Sequence, residues 1–223
     1  DISGKVTAQN GKGMSGVFVS AHDEENRKSI GVFTTKDGSF TIDGLRDKNH
    51  KVRARLMGQN DVWLEDIVAG AESVIIKMTP ASGWKLEKQR PADSAFGMLK
   101  FDNSKDKLNF KMFCTYCHQV GTVPFRTPEQ PVDWETMIRR MDGFGGLYRH
   151  SQKTIIKRII DAYKDDAVDS WPKFVPPPAP TGAATKAKIT WWEMGKRYES
   201  QYHDIDLSPD GRLVYAVNIT KNY

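Results

Sequence analysis

Cys114 and Cys117 are the two cysteines of the 223-residue chain, and they lie three positions apart with His118 directly after them. Random placement of two Cys and five His would give this arrangement roughly once in 5,000 sequences. Two cysteines cannot build the multi-bridge scaffold of small secreted domains. The function of the pair therefore depends on its position and its neighbours.

The spacing suits covalent attachment of haem. In c-type cytochromes, two thiols within one helical turn add to the two vinyl groups of haem, and the adjacent imidazole binds the iron. Three alternatives are weaker. A zinc site needs two further Cys or His ligands at suitable spacing, a thioredoxin-like redox pair needs a βαβ setting, and a structural disulfide leaves His118 unexplained. We expect haem, with zinc or a disulfide as the alternatives.

A second iron ligand is predicted on a helix further along the chain. One face of this helix is apolar and is formed by Trp134, Met137, Ile138 and Met141. The glycines from Gly143 onward end the helix. Met141, in the last turn, is the preferred sixth ligand, and Met137 and His150 are the alternatives. A Met ligand raises the haem potential, whereas His150 gives a bis-His haem of lower potential. A Met stripe that only packs the core remains open.

Residues 93–166 resemble the small mono-haem cytochrome c domains. The resemblance rests on Phe-Cys-x-x-Cys-His at 113–118, Arg-Thr-Pro at 126–128, Asp-Trp at 133–134 and Arg-Arg-Met at 139–141. It implies an all-α shell around one covalently attached haem c, with a further helix over 151–164. Trp134, Tyr148 and Phe125 are candidates for the haem wall or for ordinary core packing, and Arg126 or Arg139 is expected to pair with a propionate. Haem c is attached outside the cytoplasm, so the resemblance also implies a periplasmic or otherwise exported protein.

Residues 1–79 have a β-rich pattern. Short β-branched stretches are predicted as strands at 2–7, 16–21, 30–35, 39–43, 51–56 and 73–77. Turn residues such as Asp37-Gly38 separate them. The segment closely resembles the carboxypeptidase regulatory-like domains, which are transthyretin-like β-sandwiches that act as scaffolds or docking units. No catalysis is expected here, and His22 and His50 are interpreted as surface or edge residues.

The remaining segments are predicted as connections and one hairpin. Residues 80–92 form a connector, and the Pro- and Ala-rich residues 167–190 form a semi-rigid linker or strap. Residues 191–223 contain a strand, a Pro-Asp-Gly turn and a second strand. This hairpin resembles the first piece of a streptogramin-lyase-like or seven-bladed β-propeller. An isolated hairpin is marginal in water, so we expect a larger protein or a partner chain to complete it; a flap on the haem domain is the alternative.

Composition narrows the functional classes. Hydrophobic residues make up 39% and charged residues 27% of the chain, which excludes wholesale disorder. No apolar run reaches the roughly 18–20 residues that span a bilayer. The net charge is +5, and the cations are spread along the chain, which does not favour nucleic-acid binding. The chain begins at Asp1, so a processed or trimmed chain is expected.

The sequence therefore favours a multidomain periplasmic electron-transfer subunit or domain. It would pass electrons through one haem c from an associated oxidoreductase module, expected to be a β-propeller, to an acceptor protein. It would not be catalytic by itself. Two alternatives stay open: a haem-based sensor with a free iron position, and a lyase-type propeller enzyme of which this is the N-terminal part. In the latter, His203 and Asp204 would be candidate site residues.

Overall fold

The structure is a computed structural model. It describes residues 1–115, 119, 121–123, 134–143, 157, 170–194 and 202–218. The chain divides into two compact units: Asp1–Thr79 together with Pro178–Tyr223, and Pro80–Pro177. Among the helices in the described ranges, none has the length and apolar character to cross a membrane.

The first 79 residues form two sheets. Their strands are β1 (Ile2–Thr7), β2 (Phe18–Asp23), β3 (Lys28–Phe33), β4 (Ser39–Ile42), β5 (Asn49–Arg55), β6 (Val62–Val68) and β7 (Val74–Lys77). In the three-stranded sheet, β1 lies between β4, which is antiparallel to it, and β7, which is parallel. Six of these strands confirm the sequence prediction with small shifts in their ends, and β6 was not predicted.

The second sheet has five antiparallel strands in the order β6-β5-β2-β3-β8. Its last strand, β8 (Lys188–Trp192), follows the second unit in the chain and pairs with β3. A short 3₁₀ helix (Gly182–Lys186) precedes it. Strand β8 was not predicted from the sequence, and the linker assigned to 167–190 ends inside this strand.

The core lies between the two sheets and contains mostly aliphatic side chains. Strand alternation produces it, because inward residues such as Val19 and Ala21 alternate with outward ones along β2. His50 belongs to this inward set. It lies on the same side of β5 as Val52 and Ala54, and it is buried. Strand β5 is not an edge strand, because it lies between β6 and β2. The expectation that His50 lies at the surface or at an edge is therefore wrong.

The described part of the second unit contains helices joined by irregular segments. Its helices are α1 (Gly83–Glu87), α2 (Ala92–Gly97), α3 (Ser104–Cys114) and α4 (Trp134–Gly143). The predicted helix over 151–164 lies outside the described residues except for Lys157, which is helical. α1 and the start of α2 occupy the segment that the sequence analysis treated as a connector.

The C-terminal hairpin is present as predicted. β9 (Tyr202–Leu207) pairs antiparallel with β10 (Val214–Asn218). In the turn between them, the Ser208 hydroxyl donates to Asp210 Oδ1 at 2.6 Å and accepts from the Leu213 amide at 2.9 Å. These hydrogen bonds fix the Pro-Asp-Gly turn. Apolar side chains on both strands are exposed, among them Ile205 and Leu207.

Candidate haem-attachment site

Helix α3 places Cys114 at its C-terminal end. The helix begins after Asn103, whose side chain accepts a hydrogen bond from the Asp106 amide at 2.8 Å and donates one to the Asp106 carboxylate at 3.0 Å. Such a cap satisfies amides that the first turn leaves unpaired. The helix ends at Cys114, and Thr115 is its C-cap residue.

An aromatic cluster holds α3 against the helix before it. Phe110 of α3 is buried, and its ring centroid lies 5.9 Å from that of Phe96 in α2 and 5.3 Å from that of Phe101. Aromatic pairs at these separations add about 0.5–1.5 kcal/mol beyond the area they bury. Phe110 lies four residues before Cys114, so this packing fixes the part of α3 that leads into the motif.

The chain is fixed again just after the motif. Gly121 is buried and has a φ of +116°, and a Cβ built on it would lie 2.5 Å from the Ala92 carbonyl oxygen. Only glycine combines this conformation with such a close approach. Gly121 therefore rests directly on the start of α2. The motif lies between two anchored points, the end of α3 and Gly121, and both are held by α2.

Helix α4 confirms the helix predicted from the apolar periodicity. It begins at Trp134, includes Met137 and ends at Gly143, as the glycines indicated. Met141 lies in its last turn and is half-buried. A half-buried thioether near a helix end is compatible with either iron ligation or packing.

The other predicted site residues, Cys117, His118, Arg126 and His150, lie outside the described residues. Within the described ranges, no group of three or more His, Cys, Asp or Glu side chains is placed as a metal-binding cluster. The structure thus positions Cys114 on α3, and Trp134, Met137 and Met141 on α4.

Arg90 makes buried long-range contacts that were not predicted from the sequence. Its buried guanidinium forms an ion pair with Glu87 and donates to the Pro172 carbonyl oxygen at 2.6 Å. It also lies 5.9 Å from the Trp171 ring centroid and 5.3 Å from that of Phe174. Arg90 thereby ties the start of the Pro-rich strap to α1. Nothing in the local pattern around residue 90 indicates this long-range contact.

Comparison with known proteins identifies the first segment. Residues 1–79 match the family model of the carboxypeptidase regulatory-like domain. This segment is a carboxypeptidase regulatory-like domain. The match confirms the resemblance noted from the sequence, and its sheets supply the expected β-sandwich-like fold.

No curated protein matches the chain. Among solved structures, it is similar to a chain from the crystal structure of an N-terminal interface mutant of a type II cohesin–X-dockerin complex from Acetivibrio cellulolyticus. The sequence identity is 13%, the match covers 47% of this chain and 78% of that chain, and the TM-score is 0.30.

Proposed function

We propose that this protein is a periplasmic electron-transfer component with one covalently attached haem c. The observation that carries the proposal is the Cys-x-x-Cys-His motif at 114–118, which starts at the anchored end of α3. The chemistry of this donor set fits haem: it offers two thiols for thioether bonds and one imidazole for the iron. A zinc ion would need a fourth protein ligand that the motif does not contain.

Several residues of the second unit would hold the haem, each in a different way. Cys114 and Cys117 would form the thioether links, and His118 would be the proximal ligand. Met141 would be the sixth ligand, with Met137 and His150 as alternatives. Trp134 would line the pocket, and Arg126 would pair with a propionate. When bound, haem c supplies a one-electron exchange between ferrous and ferric iron.

The remaining segments support a role in an assembly. The carboxypeptidase regulatory-like domain would act as a docking scaffold. The hairpin of β9 and β10 would be the first piece of a β-propeller, or it would complete a sheet in a second chain. That propeller would be the catalytic oxidoreductase module, and a separate redox protein would accept the electrons. The chain itself would be an electron-transfer component rather than a catalytic centre.

The test is to produce the chain in a host with a haem c maturation system and to measure its intact mass. We expect the mass of one haem added to the polypeptide, and colour that remains with the chain after denaturation. The Cys114→Ser/Cys117→Ser double variant should lose this added mass. Thr115→Ser is the matched control, because it changes a residue inside the motif without removing a thiol. A colourless chain with two free thiols, or with bound zinc, would contradict the proposal.

A second measurement distinguishes electron transfer from gas sensing. With Met141 on the iron, the reduced protein should bind carbon monoxide slowly and Met141→Ala should bind it rapidly. Met137→Ala should behave like the unmodified protein. Rapid binding by the unmodified protein would reveal an open iron position and would favour the sensor alternative.

A further inference from the structure

The outward face of the five-stranded sheet carries a continuous band of rings. We call it the aromatic band, and it consists of Phe33, Phe18, Trp191, His22 and Trp63. Successive ring centroids along it are 5.1, 5.9, 5.6 and 5.0 Å apart. The rings come from β3, β2, β8 and β6, so the band crosses the sheet from one edge strand to the other, a width of about 19 Å.

The rings of the band are fixed by the residues beneath them. A Cβ built on Gly31 would lie 2.2 Å from the tip of the Phe18 ring, so this ring lies directly on the glycine backbone. The two ring nitrogens of His22 are hydrogen-bonded to the Ser20 and Ser29 hydroxyls, each at 2.9 Å. Both serines are buried. The surface is therefore preorganised, which lowers the entropy lost when a ligand binds.

The band is only partly covered. Trp63 is 45% exposed, and the other four rings are half-buried. The outward face of an antiparallel sheet is usually polar where it meets water. Here the outward positions of the central strands β2 and β3 are instead occupied by rings and by small residues under the rings. Rings in a fixed, solvent-accessible layer are typical of a ligand platform rather than of a core.

The charges beside the band largely cancel. The Arg53 guanidinium lies 4.9 Å from the Trp63 ring centroid and is paired with Asp61. Lys51 is paired with Glu24 at 2.9 Å and with Glu65 at 3.4 Å. Burial and the nearby Arg53 lower the pKa of His22, which favours its uncharged imidazole. The ligand that complements this face is therefore neutral.

We propose that the aromatic band is a binding platform for a neutral polysaccharide. The apolar C–H faces of sugar rings stack on aromatic rings, and the width of the band accommodates several consecutive sugar units. Sugar hydroxyls both donate and accept hydrogen bonds, and the Arg53–Asp61 pair offers donors and an acceptor side by side at the edge of the band. This inference does not depend on haem attachment.

Two other ligand classes fit the face less well. Single-stranded nucleic acids also stack on aromatic rings, but they require a positively charged groove that follows the phosphates. Lys51 and Arg53 are neutralised by carboxylates, and Arg55 is the one outward cation of β5 without an ion pair among the described residues. Proline-rich peptides also use aromatic grooves, but their backbones have few donors to offer the Asp61 carboxylate.

The test uses the full chain in native gels that contain soluble neutral polysaccharides, namely hydroxyethyl cellulose, xyloglucan, laminarin, glycogen and dextran. We expect at least one of them to retard the protein and to quench its tryptophan fluorescence on titration. Trp63→Ala should weaken that binding at least about tenfold, since one aromatic stacking contact is worth roughly 1.4 kcal/mol. Trp191→Ala should weaken it similarly.

Trp192→Ala is the matched control. Trp192 is the next residue on β8, is 61% exposed and lies on the opposite side of the strand with Lys28 near its ring. This variant should bind within about twofold of the unmodified chain. If Trp191→Ala disturbs β8, Trp63→Ala still decides the question, because Trp63 lies on a different strand. The proposal is overturned if no polysaccharide retards the chain or if Trp63→Ala binds as tightly as the control. It is also overturned if only a single-stranded oligonucleotide or a proline-rich peptide binds.

Discussion

Replacing Gly121 with alanine tests whether the segment after the motif is fixed to α2. The added Cβ would lie 2.5 Å from the Ala92 carbonyl oxygen and 3.1 Å from the Phe96 amide nitrogen. Both neighbours are backbone atoms, so no side chain can rotate away to make room. A φ of +116° is also strained for any residue with a side chain. The conformational strain costs about 1–3 kcal/mol, and displacing packed backbone costs about 1–3 kcal/mol more.

We therefore expect Gly121→Ala to lower the local free energy of unfolding by about 2–6 kcal/mol. Hydrogen exchange followed by mass spectrometry measures this locally, in peptides that cover α2 and α3. Amides whose exchange requires these helices to open should exchange at least about thirtyfold faster, because 1.4 kcal/mol corresponds to a tenfold change. The sandwich of residues 1–79 should exchange as before, which gives an internal reference.

Gly97→Ala is the control, because Gly97 ends α2 with no atom within 4 Å of the Cβ position and without a positive φ. It should leave exchange in α2 nearly unchanged. A change of less than about threefold in the exchange of α2 in Gly121→Ala would contradict the prediction. The segment after the motif would then not be fixed to α2.

Three further predictions concern charged groups. Arg90→Ala should destabilise the second unit by about 3 kcal/mol, because it removes the buried partner of the Glu87 carboxylate. Hydrogen exchange in α1 and in the peptide around Trp171 would measure this. Unchanged exchange in both would mean that Arg90 does not tie α1 to the segment around Trp171. Burial raises the pKa of Asp23, but hydrogen bonds from Lys48 and Asn26 outweigh it and lower the pKa to about 2. The stabilising contribution of the Asp23 carboxylate is thus present above the ordinary Asp pKa and lost as the pH falls towards 2. The urea midpoint of Asp23→Asn should therefore depend less on pH over this range than the midpoint of the unmodified chain. An equal pH dependence of the two midpoints would count against the prediction. Lys188→Ala removes an exposed ion pair with Asp43, and thermal unfolding should show no measurable shift; a clear drop in the midpoint would mean that this pair holds β8 in place.

The two strands that the sequence analysis missed show where local patterns stop being informative. β6 carries Glu65 and Asp66 in succession, and Asp66 has a φ of +56°, so the register against β5 shifts and the alternation is broken. β8 is five residues long and follows a proline-rich stretch. Its pairing with β3 depends on residues far away in the chain, which no local period can indicate.

Helix α4 and the C-terminal hairpin were predictable for the opposite reason. The apolar face of α4 repeats at helical spacing up to Met141 and is closed by Gly143. The hairpin has a Pro-Asp-Gly turn between two alternating segments. In the candidate haem site, the Cys-x-x-Cys-His motif was evident from the sequence. The anchoring roles of Gly121 and Arg90 were not, because each depends on a contact with a distant segment.

The late position of β8 affects how the chain is made. The partner that covers the open edge of β3 is synthesised about 160 residues after that strand. Whether the chain emerges from the ribosome or from an export channel, β3 remains an uncovered edge until β8 has followed it. An uncovered edge is a template for intermolecular pairing. A molecular chaperone that shields β3 during this interval should therefore raise the yield of folded protein more than one that acts on the completed chain.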